Sequence, residues 1–197
     1  MILDILHRKE QLVLTAIDII DDIGIQNLTT REIAKRQKIS EATLFRHFKN
    51  KNELIIAVLD YVTQFDADIL QSSKLKHQKP IDALIFMITS YVEYYENYPA
   101  ITTVLQIFDV LLYEEDLAKK VKEIQASRTS MIRQMIEEAM EAGDLKKNLD
   151  SDMIAIMIIG FLREICLEWR VGGCTFPLKD KMRSTLTMML QALGEAD

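Results

Sequence analysis

Apolar residues recur at helical spacing along nearly the whole chain, and this periodicity limits the possible folds more than any other feature. We find no segment with the convincing alternation of apolar and polar residues that marks a half-buried strand. The 197 residues include only 6 glycines and 3 prolines, so long helices meet few interruptions. We therefore predict an all-α fold of about nine helices.

The same periodicity predicts the helix boundaries. The first helix runs from about His7 to Ile23, with Leu12, Ala16, Ile19 and Ile23 on one stripe and Gly24 as its C-cap. Two short helices follow between residues 29 and 48. The later helices are predicted at 52–72, 81–97, 99–112, 115–142, 151–171 and 178–193, with a polar loop from Ser72 to Lys79.

Charge is distributed unevenly along the chain. The protein carries a formal net charge of −6, which by itself argues against binding to nucleic acid. Residues 28–52, however, contain seven lysines and arginines against two glutamates, a net charge of +5. Residues 1–27 have two basic against five acidic residues, a net charge of −3. A basic island on an acidic body fits a small nucleic-acid footprint, although a solvated charged loop gives the same pattern.

The basic island has the pattern of a helix-turn-helix. Thr29 suits an N-cap, and Glu32 completes a capping box for a helix of barely two turns. Gln37-Lys38-Ile39 forms the turn, and Ser40 caps a second helix from Glu41 to about His47. Leu44 and Phe48 point inward. The second helix is slim enough to enter the major groove of DNA.

The residues of this segment closely resemble the DNA-binding motif of the TetR (tetracycline-repressor) family. The match is carried by Thr29-Thr30-Arg31-Glu32-Ile33-Ala34, by Ile39 to Lys51 and by Glu53-Leu54. Two positions depart from the family pattern. Gln37-Lys38 replaces the usual Ala-Gly, which costs about 1 kcal/mol if Lys38 takes a positive φ. Phe45 replaces tyrosine and lacks a hydroxyl for a phosphate.

The resemblance implies a role for each motif residue. Glu41, Ala42, Thr43 and Arg46, with Arg31 from the preceding helix, would contact bases or the nearby backbone. Thr29, Thr43, His47 and Lys51 would hold phosphates, and Phe45 would pack on the sugar-phosphate backbone. Lys35, Arg36, Lys38 and Lys49 would add unspecific attraction. Structural roles remain open: Thr29 as a cap, His47 as a helix C-terminal cation and Glu41 as a partner of the helix dipole.

The resemblance also implies two domains. We assign residues 1–54 to DNA binding and residues 55–197 to effector binding and dimerisation. In this family the last two helices form a four-helix bundle with a second subunit. Met153 to Leu162 is apolar on all sides, which fits one face toward a pocket and another toward a partner, although an ordinary core gives the same pattern. The predicted dimer contacts are Met157, Gly160, Leu186 and Leu190.

The predicted effector pocket is lined by aromatic and methionine side chains. The candidates are Tyr61, Phe65, Tyr91, Tyr95, Phe108, Met131, Met135, Met157, Phe161 and Trp169, each of which fits a plain core position as well. Arg163 and Glu164 interrupt an apolar helix and serve either as a polar anchor or as an interface ion pair. An apolar or amphipathic small molecule is the implied effector.

Other classes of protein have weaker support. His7, His47 and His77 have no metal-ligand spacing, and no nucleophile elbow or phosphate loop occurs, so we predict no catalytic residues, no metal and no cofactor. Cys166 and Cys174 fit reduced thiols in a bacterial cytoplasm, and no apolar run is long enough to span a membrane. The expected partners are double-stranded operator DNA, a second copy of the chain and the effector. The alternative is a TetR-like protein that acts architecturally or through a protein partner.

Overall fold

The structure is a computed structural model that describes residues 2–76 and 79–194. Within these residues the regular structure is entirely helical, which confirms the all-α prediction. The α-helices are α1 Ile2–Ile23, α2 Thr30–Gln37, α3 Glu41–Phe45, α4 Lys51–Thr63, α5 Asp66–Lys76, α6 Pro80–Asn97, α7 Ala100–Gln106, α8 Phe108–Leu111, α9 Glu115–Glu141, α10 Ser151–Val171 and α11 Leu178–Leu193. A 3₁₀ helix, Ile25–Asn27, follows α1. No helix in the described ranges is both long and apolar enough to cross a membrane.

The chain divides into two compact units. Unit 1 comprises Met1–Gln64 and Ala100–Glu123, and unit 2 comprises Phe65–Pro99 and Ile124–Asp197. The boundary that we predicted between residues 54 and 55 separates two functional domains and not two compact units. It stays a prediction.

Unit 1 is built around α1, which contacts α2, α4 and α7. Leu12, Ala16 and Ile19 are fully buried, as their helical spacing predicts. Ile23 was expected on the same stripe but is exposed. It is the last residue of α1, and the chain turns away at Gly24, whose φ is 85°.

Unit 2 is built around α6, which contacts α5 and α11, and α11 also packs on α10. Pro80 occupies the first turn of α6, where its missing N–H costs nothing. The predicted helices at 81–97, 115–142, 151–171 and 178–193 match α6, α9, α10 and α11 within one residue. The side chains of Leu84, Met87, Ile88, Met135, Ile136 and Ala155 are buried in its core.

Several predicted helix boundaries were wrong. The first helix begins at Ile2 rather than at about His7. The predicted helix over 52–72 is broken at Gln64-Phe65 into α4 and α5, and α5 extends into the predicted loop as far as Lys76. Residues 77 and 78 of that loop lie outside the described residues. The predicted helix over 99–112 is likewise divided into α7 and α8 at Ile107. When a helix is interrupted but the apolar residues on either side keep their helical spacing, the sequence pattern does not reveal the interruption.

Candidate nucleic-acid interface and ligand cleft

Side-chain caps define the two helices of the helix-turn-helix. The Thr29 hydroxyl accepts a hydrogen bond from the backbone N–H of Glu32 at 3.1 Å, and the Ser40 hydroxyl accepts one from the N–H of Thr43 at 3.2 Å. Lys38 takes the left-handed conformation with φ 54° and ψ 42° at the position where the TetR motif carries glycine. Each cap satisfies a donor that would otherwise lack a partner, so these residues have a structural role.

The second helix is shorter than predicted. It ends at Phe45, and the N–H groups of Arg46 and His47 bond the carbonyls of Thr43 and Leu44, three residues back. This tightened last turn explains the early end. Leu44 and Phe48 are buried beneath it, as predicted. Of the nine predicted DNA contacts, Thr29, Arg31, Glu41, Ala42, Phe45, Arg46 and Lys51 are exposed, and Thr43 and His47 are half-buried.

Arg36 has partners within the protein. The Arg36 guanidinium lies 2.6 Å from Asp22 and 3.1 Å from Glu32, and these contacts raise its pKa. It joins α2 to α1, so its charge is balanced locally and adds little to attraction for phosphate. We therefore no longer expect Arg36 to add to the unspecific attraction for DNA. Lys38 and Lys49 are exposed, and so is Lys35, whose ammonium lies 3.6 Å from Glu32.

The N-terminal half of α1 places two cations, Arg8 and Lys9, near the helix-turn-helix, although they belong to the acidic segment of residues 1–27. The Lys9 ammonium lies 5.1 Å from the centre of the Phe48 ring, and Arg8 donates to the Gln37 side chain at 3.4 Å. Burial lowers the pKa of His47, and the charges of Arg8, Lys9 and Arg46 lower it further. Arg8 and Lys9 therefore extend the basic surface around α3.

Unit 2 contains an open cleft of about 300 Å³ between α5 and α6. Its wall is formed by Phe65, Asp68, Ile69, Ser72, Phe86, Ser90 and Tyr94. The residues follow helical spacing on both helices, so each helix turns one stripe toward the cleft. Phe65 and Tyr94 meet edge to face, with ring centres 5.7 Å apart. The wall is mostly aromatic and aliphatic with a few polar groups, which is the usual character of a small-molecule site.

A half-buried ion pair lies within the same unit. Arg128 of α9 donates through Nε and Nη2 to the two carboxylate oxygens of Asp66, at 2.8 and 3.1 Å. The guanidinium also lies over the Tyr91 ring, 5.4 Å from its centre. The charge-assisted bidentate bond and the cation–π contact fix Arg128 between α5 and α6. Burial raises the pKa of Tyr91 above its ordinary range and that of Tyr95 to about 12, so both phenols stay protonated.

Comparison with known proteins identifies the family. Residues 12–58 match the family described as bacterial regulatory proteins of the tetR family, and residues 59–192 match the C-terminal region of YsiA-like protein. The chain belongs to the TetR family. Members of this family are DNA-binding transcriptional regulators, which confirms the identification made from the helix-turn-helix residues.

Two relatives of this TetR-family chain have different functions. It is 21% identical over 190 residues to the fatty acid metabolism regulator protein of Bacillus subtilis strain 168, with 93% of this chain and 94% of the relative covered. It is 25% identical over 114 residues to the nucleoid occlusion factor SlmA of Actinobacillus pleuropneumoniae serotype 5b, with 57% and 56% covered.

Solved structures share the TetR-family fold. The transcriptional regulator FadR from Bacillus subtilis in complex with stearoyl-CoA superposes with a TM-score of 0.81 at 21% identity, over 92% of this chain and 97% of that one. The ketosteroid transcriptional regulator KstR2 of Mycobacterium tuberculosis gives a TM-score of 0.80 at 18% identity, over 96% of both chains. At this identity the likeness concerns the fold.

The structure brings together only part of the effector pocket predicted for this TetR protein. Phe65 lines the cleft, whereas Tyr61 and Phe108 belong to unit 1. Tyr91, Tyr95, Met135 and Trp169 are buried, and the Trp169 indole donates to the carbonyl of Phe176 at 2.9 Å. Met131 and Phe161 are half-buried, and Met157 is exposed. The sequence analysis did not identify Phe86, Ser90 and Tyr94 as cleft residues. Their spacing of four residues, which places them on one face of α6, was the signal that could have identified them.

The outer face of α10 is apolar and exposed in the single chain. Met153, Ile156, Met157 and Gly160 recur at spacings of three and four, and all four are exposed. Apart from Gly160 itself, its chain neighbours and the nearby backbone of α10, no described atom lies within 4 Å of the point where a Cβ on Gly160 would stand. Leu186 and Leu190 are only 2% and 4% exposed, so their surface is already used within the chain. The predicted dimer contacts stay a prediction, and of the four residues only Met157 and Gly160 are exposed in the single chain.

Proposed function

We propose that this TetR-family protein is a repressor that binds a palindromic operator as a homodimer and leaves it when a long-chain acyl thioester binds unit 2. The observation that carries the effector half of this proposal is the cleft between α5 and α6, whose walls suit an apolar chain. The FadR structure from Bacillus subtilis, which shares the fold, holds stearoyl-CoA and supports this chemical class.

The DNA half of the proposal rests on the exposed surface around α3. Arg31, Ala42, Thr43 and Arg46 are the residues that we assign to bases or to backbone near them. Thr29, His47 and Lys51 are assigned to phosphates, and the exposed Phe45 ring to the sugar-phosphate backbone. Affinity should fall steeply with salt, because lysine and arginine displace counterions from the phosphates.

The homodimer follows from the exposed apolar face of α10. A row of large apolar side chains facing water is unfavourable in a single chain, and a second copy that packs on it removes this cost. A two-fold dimer presents two α3 helices to successive major grooves, which is the reason for expecting an inverted repeat in the operator.

Operator release tests the proposal. Selection from random double-stranded DNA supplies the operator, and fluorescence anisotropy then follows its release. Stearoyl-CoA should release the DNA, whereas coenzyme A alone should not. Ser90→Trp fills the cleft, so this variant should bind operator but ignore stearoyl-CoA. Ser127→Trp, on an exposed position of α9, is the matched control and should respond like the unaltered protein.

A second candidate function is an architectural role on DNA without an effector. The nucleoid occlusion factor SlmA is a relative over more than half of this chain, and this is the observation that favours the alternative. Operator binding that no acyl thioester alters, together with an unaltered melting temperature in the presence of these compounds, would support it and would overturn the effector half of the proposal.

A further inference from the structure

The rings of Phe65 and Tyr94 close one end of the cleft between α5 and α6. They meet edge to face, with ring centres 5.7 Å apart, and both line the cleft. Phe65 directly precedes α5, and Tyr94 lies near the end of α6, so the contact bridges the two helices. A ligand chain that enters the cleft from its other end meets this ring pair.

The other end of the cleft is wider. α5 and α6 are joined by a short segment, and helices connected in this way run antiparallel. Ser72 therefore lies opposite Phe86, as Phe65 lies opposite Tyr94. A serine facing one ring leaves more room than two rings in contact. The exposed Asp68, on the wall one turn after Phe65, places a negative charge nearer the closed end, which disfavours the phosphates of coenzyme A there.

The distance between the two ends limits the length of chain that fits. Phe65 and Ser72 are seven residues apart along α5, and Phe86 and Tyr94 are eight residues apart along α6. At a rise of about 1.5 Å per residue, the cleft is about 10–12 Å long. Three bonds of an extended chain span about 3.5 Å, so about ten carbons of an acyl chain fill this length.

We propose that the Phe65–Tyr94 ring pair is the floor against which the methyl end of the effector stops, so that the cleft holds about ten carbons of the acyl chain. The rest of a longer chain, the thioester and coenzyme A lie beyond the Ser72–Phe86 end. Affinity therefore rises with chain length only until the cleft is filled. This inference rests on the proposed function and assigns its chain-length limit to two named residues.

A series of acyl thioesters of coenzyme A tests the inference. Calorimetry on the full-length protein, below the concentrations at which these compounds form micelles, gives the affinities of octanoyl-, decanoyl-, dodecanoyl- and stearoyl-CoA. Each methylene that enters an apolar site contributes at most about fourfold in affinity, so decanoyl-CoA should bind about tenfold more tightly than octanoyl-CoA. Dodecanoyl- and stearoyl-CoA should bind within about twofold of decanoyl-CoA, because their additional methylenes stay in water.

Two substitutions of Phe65 move the floor. Phe65 is 43% exposed, so its replacement leaves the core of unit 2 intact. Phe65→Ala lengthens the cleft, and dodecanoyl-CoA should bind this variant about tenfold more tightly than decanoyl-CoA does. Phe65→Trp shortens the cleft, so decanoyl-CoA should lose its advantage over octanoyl-CoA. Phe86→Ala is the matched control at the wider end, and it should weaken all four compounds by a similar factor without moving the limit.

The outcomes separate this inference from the proposed function. If none of the four compounds binds, the effector half of the proposed function fails and the inference fails with it. If they bind but the affinity of the unaltered protein changes by more than about twofold between decanoyl- and stearoyl-CoA, in either direction, only the inference is overturned. It is also overturned if the limit stays in place in both Phe65 variants, or if it moves in Phe86→Ala.

Discussion

Glu41 accepts a hydrogen bond from the Thr30 hydroxyl at 2.6 Å, and this bond joins the first residue of α3 to the first residue of α2. The carboxylate therefore already has a partner within the helix-turn-helix. A carboxylate that approached DNA would also be repelled by the phosphates. The contact favours a structural role for Glu41 over the base contact that the TetR resemblance implied.

Glu41→Gln should leave the preferred operator sequence unchanged, because the amide oxygen still accepts from Thr30. Sites selected from random DNA by the two proteins should give the same consensus. Arg46→Ala is the comparison: loss of a base contact there should relax one position of the consensus and cost about 1–3 kcal/mol of operator binding. A changed base preference in Glu41→Gln would return Glu41 to the recognition surface.

Lys38→Gly should raise the free energy of unfolding by about 0.5–1 kcal/mol, because a lysine with φ 54° is strained and glycine is not. Urea unfolding measures the change. Lys35→Gly, in the interior of α2, is the control and should lower the same free energy by about 1 kcal/mol. Equal destabilisation by both substitutions would refute the strain at Lys38.

His47 should make operator binding depend on pH. Burial and the charges of Arg8, Lys9 and Arg46 hold its pKa below 6.5 in the free protein, so the imidazole is mainly neutral at pH 7. A bound phosphate favours the charged form, so affinity should rise as the pH falls below 6.5. Titration of binding from pH 7.5 to about 5.5 measures this rise, and His47→Gln should remove most of it. An equal rise in the variant would show that another group is responsible.

Ile156→Asp should convert the dimer to a folded monomer. Ile156 is 61% exposed in the single chain, so the substitution leaves the fold intact but introduces an unpaired charge into the proposed interface. Sedimentation velocity distinguishes the two states. Val110→Asp, at another exposed apolar position, on α8, should remain dimeric. A monomeric unaltered protein, or a dimeric Ile156→Asp, would remove α10 from the interface.

The sequence predicted what depends on local rules. The caps at Thr29 and Ser40, the inward side chains of Leu44 and Phe48 and the first turn at Pro80 follow from residue type and spacing. The TetR motif has glycine at the position of Lys38, so a positive φ was considered there, and the structure shows it. These features require only a few neighbouring residues to be correctly identified.

What the sequence missed depends on contacts between distant segments. Arg8 and Lys9 were counted with the acids of their own segment, yet folding brings them beside His47, almost forty residues later. Asp66 and Arg128 are 62 residues apart, and no pattern links them. The cleft was missed because Phe86, Ser90 and Tyr94 resemble one stripe of an ordinary core helix.

The central claim is that one effector and the operator bind the protein antagonistically, and the affinity of a long-chain acyl-CoA measured with and without operator DNA tests it most directly. Linkage requires that the operator weaken acyl-CoA binding by the factor by which acyl-CoA weakens operator binding, about 5- to 150-fold for a coupling of 1–3 kcal/mol. We expect the two factors to agree. An acyl-CoA affinity that saturating operator leaves unchanged would contradict the account.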